Sequence, residues 1–461
     1  MRILFIYKFE YLEPLGIMSL AAYLKQNGHQ CHFVDLELEK NYLSKIKQLQ
    51  PDIIAYSITT GRHRFYQQLN LKLKKQQKFS AVFGGPHATF FPEFINQEGV
   101  DIICRGEGEQ ALLELANLLH TNDRVKHIQN LWVKQDNQIF KNELRPLIQD
   151  LDDLPFPDRE LINIYPAYRK MQRRQIMTSR GCAFNCTYCF NHVYKKLYPN
   201  QNPVRRRSPN NVLQELLHLK QNFKPKRFHF LDDNFVTDEN WCTNFFKQYC
   251  QQIKLPFIVH TRVNNLTKNI VSTLKTAGCQ TVLYAIESGN SKIRQDLLKR
   301  NTSDQQILMA SSLLKKYKLK TYVQNMVGLP TETITDALQT IELNKKCRPD
   351  YAWCSIFQPY PMTDLWAFCK KNNLLSNQEP DESYYQTSVL NLKPKLKRQF
   401  INLHHLFSIA VGWKIPLPTV KFLIQLPMTK LYFLIWQIHR AWCYVFKVKW
   451  INFSEIFLKL K

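Results

Sequence analysis

No stretch of this chain stays apolar long enough to cross a membrane as a helix. The opening run Met1–Tyr7 is apolar but short. Lys8 and Glu10 interrupt it and no small-residue cleavage site follows, so a buried parallel strand is expected there rather than a secretion signal. Acidic residues are few: 37 Asp and Glu stand against 63 Lys and Arg, for a net charge of +26. That balance permits nucleic acid, anionic lipid or acidic cofactors as partners and does not choose among them. The basic runs over 72–78 and 315–320 are expected to be solvated helix faces. No internal repeat is visible. Nor is there a disulfide framework, since nine of the 12 cysteines are scattered and are expected to be free thiols. What remains is a chain of 461 residues, 44% of them apolar, enough for two or three domains with sizeable cores.

The other three cysteines lie close together. Ser179–Asn191 reads S-R-G-C-A-F-N-C-T-Y-C-F-N, with Cys182, Cys186 and Cys189 spaced C-x3-C-x2-C and Tyr188 just before the third. A short loop with such spacings lets thiolates converge on one centre. Three thiolates can hold three irons of a [4Fe–4S] cluster and leave the fourth open to bind and reduce a ligand. Such thiolates require a reducing compartment. A zinc site or a chance grouping of structural cysteines competes with this reading. Zinc normally adds a fourth Cys or His at short spacing, and here only His192 is near, too close to Cys189 for a typical finger. The stretch resembles the radical S-adenosylmethionine (SAM) signature C-x3-C-x-aromatic-C. The resemblance implies that the open iron binds SAM and that the reduced cluster cleaves it to methionine and a 5′-deoxyadenosyl radical, which removes a substrate hydrogen.

Residues 1–120 alternate short apolar runs with helical patterns. Strands are expected at Ile3–Tyr7, His32–Asp35, Ile53–Ser57, Ala81–Phe83 and Ile102–Cys104, and helices at Gly16–Asn27 and Lys40–Gln50. This rhythm predicts a parallel, doubly wound sheet with a ligand over the strand carboxyl ends. The loops E-P-L-G, S-I-T-T-G, G-G-P-H-A-T and R-G-E-G-E at those ends resemble the cobalamin-binding domain that precedes many radical SAM cores. By that resemblance Gly16, Ser57, Thr59, Gly84, Gly85, His87, Gly106 and Glu107 contact cobalamin. The D-x-H-x-x-G motif of domains that ligate cobalt through histidine is absent, so the lower base is expected to be displaced with no histidine replacing it. His87 is expected to hydrogen-bond within its loop. A flavodoxin-like fold without a ligand is the competing reading.

Asp150–Arg159 (DLDDLPFPDR) is acidic and carries two prolines, which marks a junction. Beyond it, strands expected at Gln175–Thr178, Arg227–Leu231, Phe257–His260, Thr281–Ile286, Leu319–Met326 and Tyr351–Phe357 give six βα units. That is a partial version of the barrel that carries its site at strand carboxyl ends. L-D-D-N-F, R-V-N, E-S-G-N, G-L-P-T-E-T and Q-P-Y-P close these strands and, in order, resemble cobalamin-type radical SAM proteins. The resemblance places Asp232 and Asp233 near the SAM amino group, and Arg262, Glu287 and Ser288 at its carboxylate or ribose. Gly328 and the turn to Thr333 fall by the adenine. Acids at strand ends also cap helices. Cys279, Cys347, Cys354 and Cys369 are too widely spaced for a second cluster and are expected to be buried thiols.

Residues 391–461 carry twelve Lys or Arg, a single acid, Glu455, and four tryptophans, Trp413, Trp436, Trp442 and Trp450. Basic amphipathic helices with tryptophan suit a membrane surface or a lipid-like substrate. They also suit a helical cap on the barrel, which is the favoured reading. The expected class is α/β: a doubly wound, flavodoxin/Rossmann-like cobalamin domain over 1–145, a linker over 146–170, a partial (β/α)6 radical SAM core over 171–385 and a helical segment over 386–461.

The resemblance implies a radical SAM enzyme with a [4Fe–4S] cluster, SAM and cobalamin that methylates an unactivated carbon or phosphorus centre of a small-molecule or lipid-like substrate. A flavodoxin- or ferredoxin-type electron donor is expected, in the cytoplasm or at the inner face of the membrane. Radical cyclisation, as in anaerobic porphyrin cyclases, is the alternative. Nucleic acid is not expected as a partner, because tRNA methylthiotransferases carry three further cluster cysteines where this chain has only Cys31 and Cys104. A non-catalytic sensor would not need the intact cysteine triplet.

Overall fold

The computed structural model describes residues 1–9, 12–120, 122–376 and 388–448. Glu10, Trp450, Glu455 and the expected boundary at 385/386 lie outside the described residues. The chain forms two units, Met1–Met171 and Gln172–Lys461.

The first unit is built on a seven-stranded sheet. Its strands are β1 (Arg2–Tyr7), β2 (Gln30–Asp35), β3 (Ile53–Ser57), β4 (Ser80–Gly84), β5 (Ile102–Cys104), β6 (Leu131–Gln135) and β7 (Gln138–Lys141). The order is β2-β1-β3-β4-β5-β6-β7, with β1 to β5 parallel. The order 2-1-3-4-5 is that of flavodoxin-like sheets. These strands read as continuous apolar runs because both faces are buried: Leu4, Ile6, Ile54, Tyr56 and Phe83 join one core cluster. The five strands expected from the sequence are all present. The antiparallel hairpin β6–β7 is an addition, turning at Asp136-Asn137 with φ of 49° and 61°, both in the left-handed region that two-residue hairpins use.

Residues 146–170, set apart in the sequence as a linker, lie within the first unit. The Tyr168 hydroxyl donates to Asp35 Oδ2 at 2.8 Å, Tyr165 accepts from the Asp35 amide at 3.3 Å, and buried Arg159 pairs with Glu13 at 2.9 Å. The acids and prolines mark a turn in the backbone, but the aromatic residues after them belong to the core.

The second unit holds β8 (Arg173–Ile176), a small antiparallel pair β9 (Ser179–Arg180) and β10 (Arg205–Arg206), then β11 (Arg227–Phe230), β12 (Phe257–His260), β13 (Cys279–Glu287), β14 (Lys320–Val327) and β15 (Tyr351–Ile356). Six strands pair in parallel in the order β15-β14-β13-β12-β11-β8, which is the expected partial barrel. Local signals start its helices: Ser208 Oγ accepts from the Asn211 amide at 3.1 Å ahead of Pro209–Phe223, and capping boxes open Asp304–Lys316 and Ile334–Cys347. Cys279, Cys347, Cys354 and Cys369 are buried and free.

The C-terminal helices cover both faces of the edge strand β15. Ala352 and Cys354 pack with Phe400, Leu403 and Phe407 of the helix Pro394–Gly412. Tyr351, pointing to the other face, packs with Cys443 and Val448. The Thr281 hydroxyl also donates to the Val448 carbonyl at 2.8 Å. Within the described residues the segment is the cap that the sequence favoured.

Candidate active site

The cysteine loop leaves the barrel after β8 and is gripped at its base by Asp232. This carboxylate is fully buried. It accepts from the Thr178 amide at 3.1 Å, from Thr178 Oγ1 at 2.7 Å and from Ser179 Oγ. Gly181 comes next with φ of 87°, where an added Cβ would meet the Pro203 carbonyl oxygen at 2.0 Å; only glycine fits. Lys195 closes the first half of the loop, donating to the carbonyls of Ala183 and Phe184 at 3.1 and 2.8 Å and to Asn185 Oδ1. Thr187 pins the second half, its hydroxyl donating to the Leu297 carbonyl at 2.7 Å and its carbonyl accepting from the Leu365 amide at 2.9 Å.

Strand ends bring charge to this loop. Arg262, just after β12 and nearly buried, donates from Nη1 to Cys186 Sγ at 3.2 Å and lies 3.7 Å from the centroid of the Phe184 ring. The Tyr188 hydroxyl donates to Glu287 Oε1 at 2.9 Å, and Arg300 donates to the same hydroxyl at 3.4 Å and to the Ala285 carbonyl at 2.6 Å. Glu287 sits beside a register shift in β13 with φ of 69°, a left-handed backbone rare outside glycine and costly enough to signal a functional strand end. Burial pushes its carboxyl up, opposed by Arg300 and by the Tyr188 hydrogen bond. Asp233 is open at its surface, yet surrounding protein pushes its carboxyl up.

The thiols respond to burial and to one another. Burial raises Cys182 and lifts Cys189 to about 11, and repulsion from Cys186 and Asp233 adds to the effect at both. Iron would drive these protons off. His192 engages Asp364 through Nε2 at 2.8 Å. Among the described residues no three His, Cys, Asp or Glu side chains are grouped to hold a single metal ion. A cluster asks for something different, three thiolates each on its own iron, and the cysteine loop fits that demand.

The structure brings Cys182, Cys186, Cys189, Asp233, Arg262 and Glu287 to one region. Asp232 lies beneath it, held by the loop. Ser288 is fully buried, its hydroxyl accepting from the Asn290 amide at 3.3 Å and its carbonyl from Arg294 at 2.7 Å. Gly328 has φ of 72° and donates its amide to Glu332 Oε2 at 2.7 Å. The sequence reading overlooked Gly181, Lys195 and Arg300. Of these only Gly181, inside the signature, carried a local signal.

In the first unit the strand ends of β3, β4 and β5 converge. Ser57 pairs with Gly84, and Ser57 and Thr59 are exposed. Gly85 has φ of 91°, and a Cβ there would lie 3.0 Å from the Ile58 backbone. Gly106, with φ of 71°, donates its amide to Thr89 Oγ1 at 3.1 Å. Glu107 accepts from the Ile148 amide at 2.9 Å. Gly16 opens the helix Leu15–Gln26 with nothing within 4 Å of an added Cβ. These bare, glycine-lined ends suit close approach of a large flat ligand. His87 is buried, bonded to Thr60 Oγ1 at 3.1 Å and stacked on His63, with burial pressing its pKa down to about 3. It lies in the short helix Pro86–Phe90 rather than in a loop, and the segment after β1 has no histidine.

Comparison with known proteins adds to this geometry. Residues 2–116 match the B12 binding domain family and residues 176–343 the Radical SAM superfamily. An uncharacterized methyltransferase of Pyrococcus horikoshii is 31% identical over 373 residues, covering 78% of this chain and 79% of that protein. The anaerobic magnesium-protoporphyrin IX monomethyl ester cyclase of Cereibacter sphaeroides is 26% identical over 376 residues, 77% of this chain and 60% of that one. The radical SAM methyltransferase TsrM of Kitasatospora setae, solved with cobalamin and a [4Fe–4S] cluster bound, shares the fold at 14% identity and a TM-score of 0.68, covering 80% of this chain and 75% of that chain. The chain belongs to the cobalamin-dependent radical SAM methyltransferase family, with a [4Fe–4S] cluster, SAM and cobalamin as its cofactors.

Proposed function

We propose that the enzyme transfers a methyl group to an unactivated carbon or phosphorus centre of a small-molecule or lipid-like substrate. One observation carries most weight: a pinned three-thiol loop with Arg262 on Cys186 Sγ stands in the same chain as a glycine-lined B12-type sheet edge. The bound cofactors supply hydrogen-atom abstraction, through the reduced cluster and SAM, and a methyl carrier in cobalamin. The chain's residues hold and orient them. Cys182, Cys186 and Cys189 each take an iron. Asp233 faces the SAM ammonium, while Arg262 and Glu287 serve its carboxylate and ribose. Asp232 and Ser288 act by positioning the loop and the strand end, and Gly328 shapes the turn near the adenine. Ser57, Thr59, Gly84, Gly85 and Gly106 approach cobalamin, with Gly16, His87 and Glu107 shaping the surrounding loops.

The electron donor is a flavodoxin- or ferredoxin-type protein, and the C-terminal segment makes peripheral contact with the inner face of the membrane. Among the described residues no helix is long and apolar enough to cross a membrane. A second reading, radical cyclisation without methylation, draws on the likeness to the cyclase.

Anaerobic reconstitution with cobalamin tests the proposal. About four irons per chain, a cobalamin spectrum and SAM cleavage are expected, with cleavage lost when Cys182, Cys186 and Cys189 are all changed to Ala. Full cleavage by that triple variant would overturn the radical reading. With SAM carrying a labelled methyl group, label in the product supports methyl transfer, and an oxidised or cyclised product without label supports the second reading.

A further inference from the structure

The helix Thr429–Trp442 is apolar on two sides, and the described residues cover only one of them. Tyr432, Trp436 and His439 face inward: Trp436 lies against His404 and His405, and His439 is 3.1 Å from Ser408 Oγ. Leu431, Leu434, Ile438 and Trp442 recur at steps of three and four along the other side, so they form one stripe. They are 44 to 65% exposed. Phe446 continues the stripe at 58% exposure, and Phe422 and Trp413 add exposed rings on the preceding helix and turn. Scattered exposed apolar residues are ordinary, but a continuous stripe is an interaction surface.

The charges around the stripe narrow the partner. Lys414, Lys421, Lys430 and Lys447 are exposed around it, and Lys447 lies 5.1 Å from the Trp442 ring. From Asn391 to Val448 the sequence contains no Asp or Glu. A second copy docking face to face would set cation against cation. A surface that is apolar inside and anionic at its edge complements both features. The helix, 14 residues long, spans only about 21 Å, short of the ~30 Å hydrocarbon core, so it would lie in the interface rather than cross it.

We propose that this face rests on an anionic lipid bilayer. The stripe of Leu431, Leu434, Ile438 and Trp442 enters the acyl boundary, Trp413 and Phe422 sit at headgroup level, and the surrounding lysines meet lipid phosphates. The proposal deepens the membrane contact stated above and rests on that reading. It is independent of methyl transfer, because vesicle binding needs no turnover.

The test is co-sedimentation of the reconstituted full chain with phosphatidylcholine vesicles, with and without phosphatidylglycerol. Binding is expected with the anionic vesicles, weakening as salt rises. The double variant Leu434→Ser/Ile438→Ser is expected to lower it by about tenfold or more while iron content and SAM cleavage stay at wild-type levels. Lys421→Glu/Lys430→Glu is expected to remove the preference for anionic vesicles. The proposal is overturned if the wild-type chain binds neither vesicle or if the serine variant binds unchanged. It is also overturned if the wild-type chain is a dimer in solution that the serine variant dissolves. Wild-type SAM cleavage without vesicle binding would sink this inference together with the membrane contact it deepens and leave the radical chemistry standing.

Discussion

Replacing Asp232 tests whether this acid holds the cluster loop or touches SAM directly. The buried carboxylate satisfies three donors: the Thr178 amide and the hydroxyls of Thr178 and Ser179. In Asp232→Ala all three lose their acceptor where water does not reach, at about 1–3 kcal/mol each. The amide cannot turn away, but the hydroxyls can seek other acceptors, so the sum settles at roughly 3–5 kcal/mol. At ~2–4 °C per kcal/mol, the second unit is expected to melt about 6–20 °C lower. Asp232→Asn keeps one acceptor oxygen, and its amide can donate to a rotated hydroxyl, so its loss is about 1–2 kcal/mol. Thermal melts of both variants, before and after cluster reconstitution, measure this, and the iron count is expected to fall in the same order, Asn before Ala. A direct SAM contact would instead leave the melts alone and raise the KM for SAM. Asp232→Ala melting within about 2 °C of wild type with full iron would refute the anchoring argument.

Two further predictions follow from the same site. Arg262→Gln removes a cationic donor from Cys186 Sγ. The cluster midpoint potential is expected to move to more negative values, read by EPR-monitored titration at matched iron content, since donors to cluster sulfurs favour the reduced form; an unchanged potential would count against that contact. Glu332 is buried, with Oε2 accepting from the amides of Gly328 and Leu329 and Oε1 without a partner among the described residues; burial lifts its carboxyl from near 4.5 to about 8. The folded protein therefore keeps a proton that the unfolded chain releases, so this group takes stability away as pH rises from about 4.5 to 8, by at most ~1.4 kcal/mol per pH unit. Glu332→Gln is expected to flatten that slope in urea unfolding from pH 5 to 8, and parallel curves would refute the assignment.

The legible parts of the fold share a physical basis. Parallel strands buried on both faces read as short apolar runs wherever they occur, which is why β1 to β5 and the six barrel strands emerge from pattern alone. Ser208 caps the helix Pro209–Phe223 from within three residues, so its start is encoded locally. The hairpin β6–β7 had a comparable signal in Asp136-Asn137 between apolar runs, and it was overlooked. Residues 146–170 misled because their prolines and acids describe a turn, whereas the packing of Tyr165 and Tyr168 on Asp35 depends on a strand more than a hundred residues earlier. In the C-terminal segment periodicity could not say which apolar side of Thr429–Trp442 is covered, because both sides are apolar.

The cluster cysteines were legible because their convergence is encoded in one short loop. Their surroundings were not. Asp232 reaches Thr178 across 54 residues, Arg262 reaches Cys186 across 76, and Tyr188 reaches Glu287 across 99. By itself the sequence determined the parallel strands, their order along the chain and the thiol triplet, since apolar period, caps and loop spacing act over a few residues. The tertiary structure alone decided which strand-end charges meet that loop, that Asp232 anchors it, and which face of the helix Thr429–Trp442 packs inward. Those outcomes depend on strand order and register, which bring together groups that no local pattern relates.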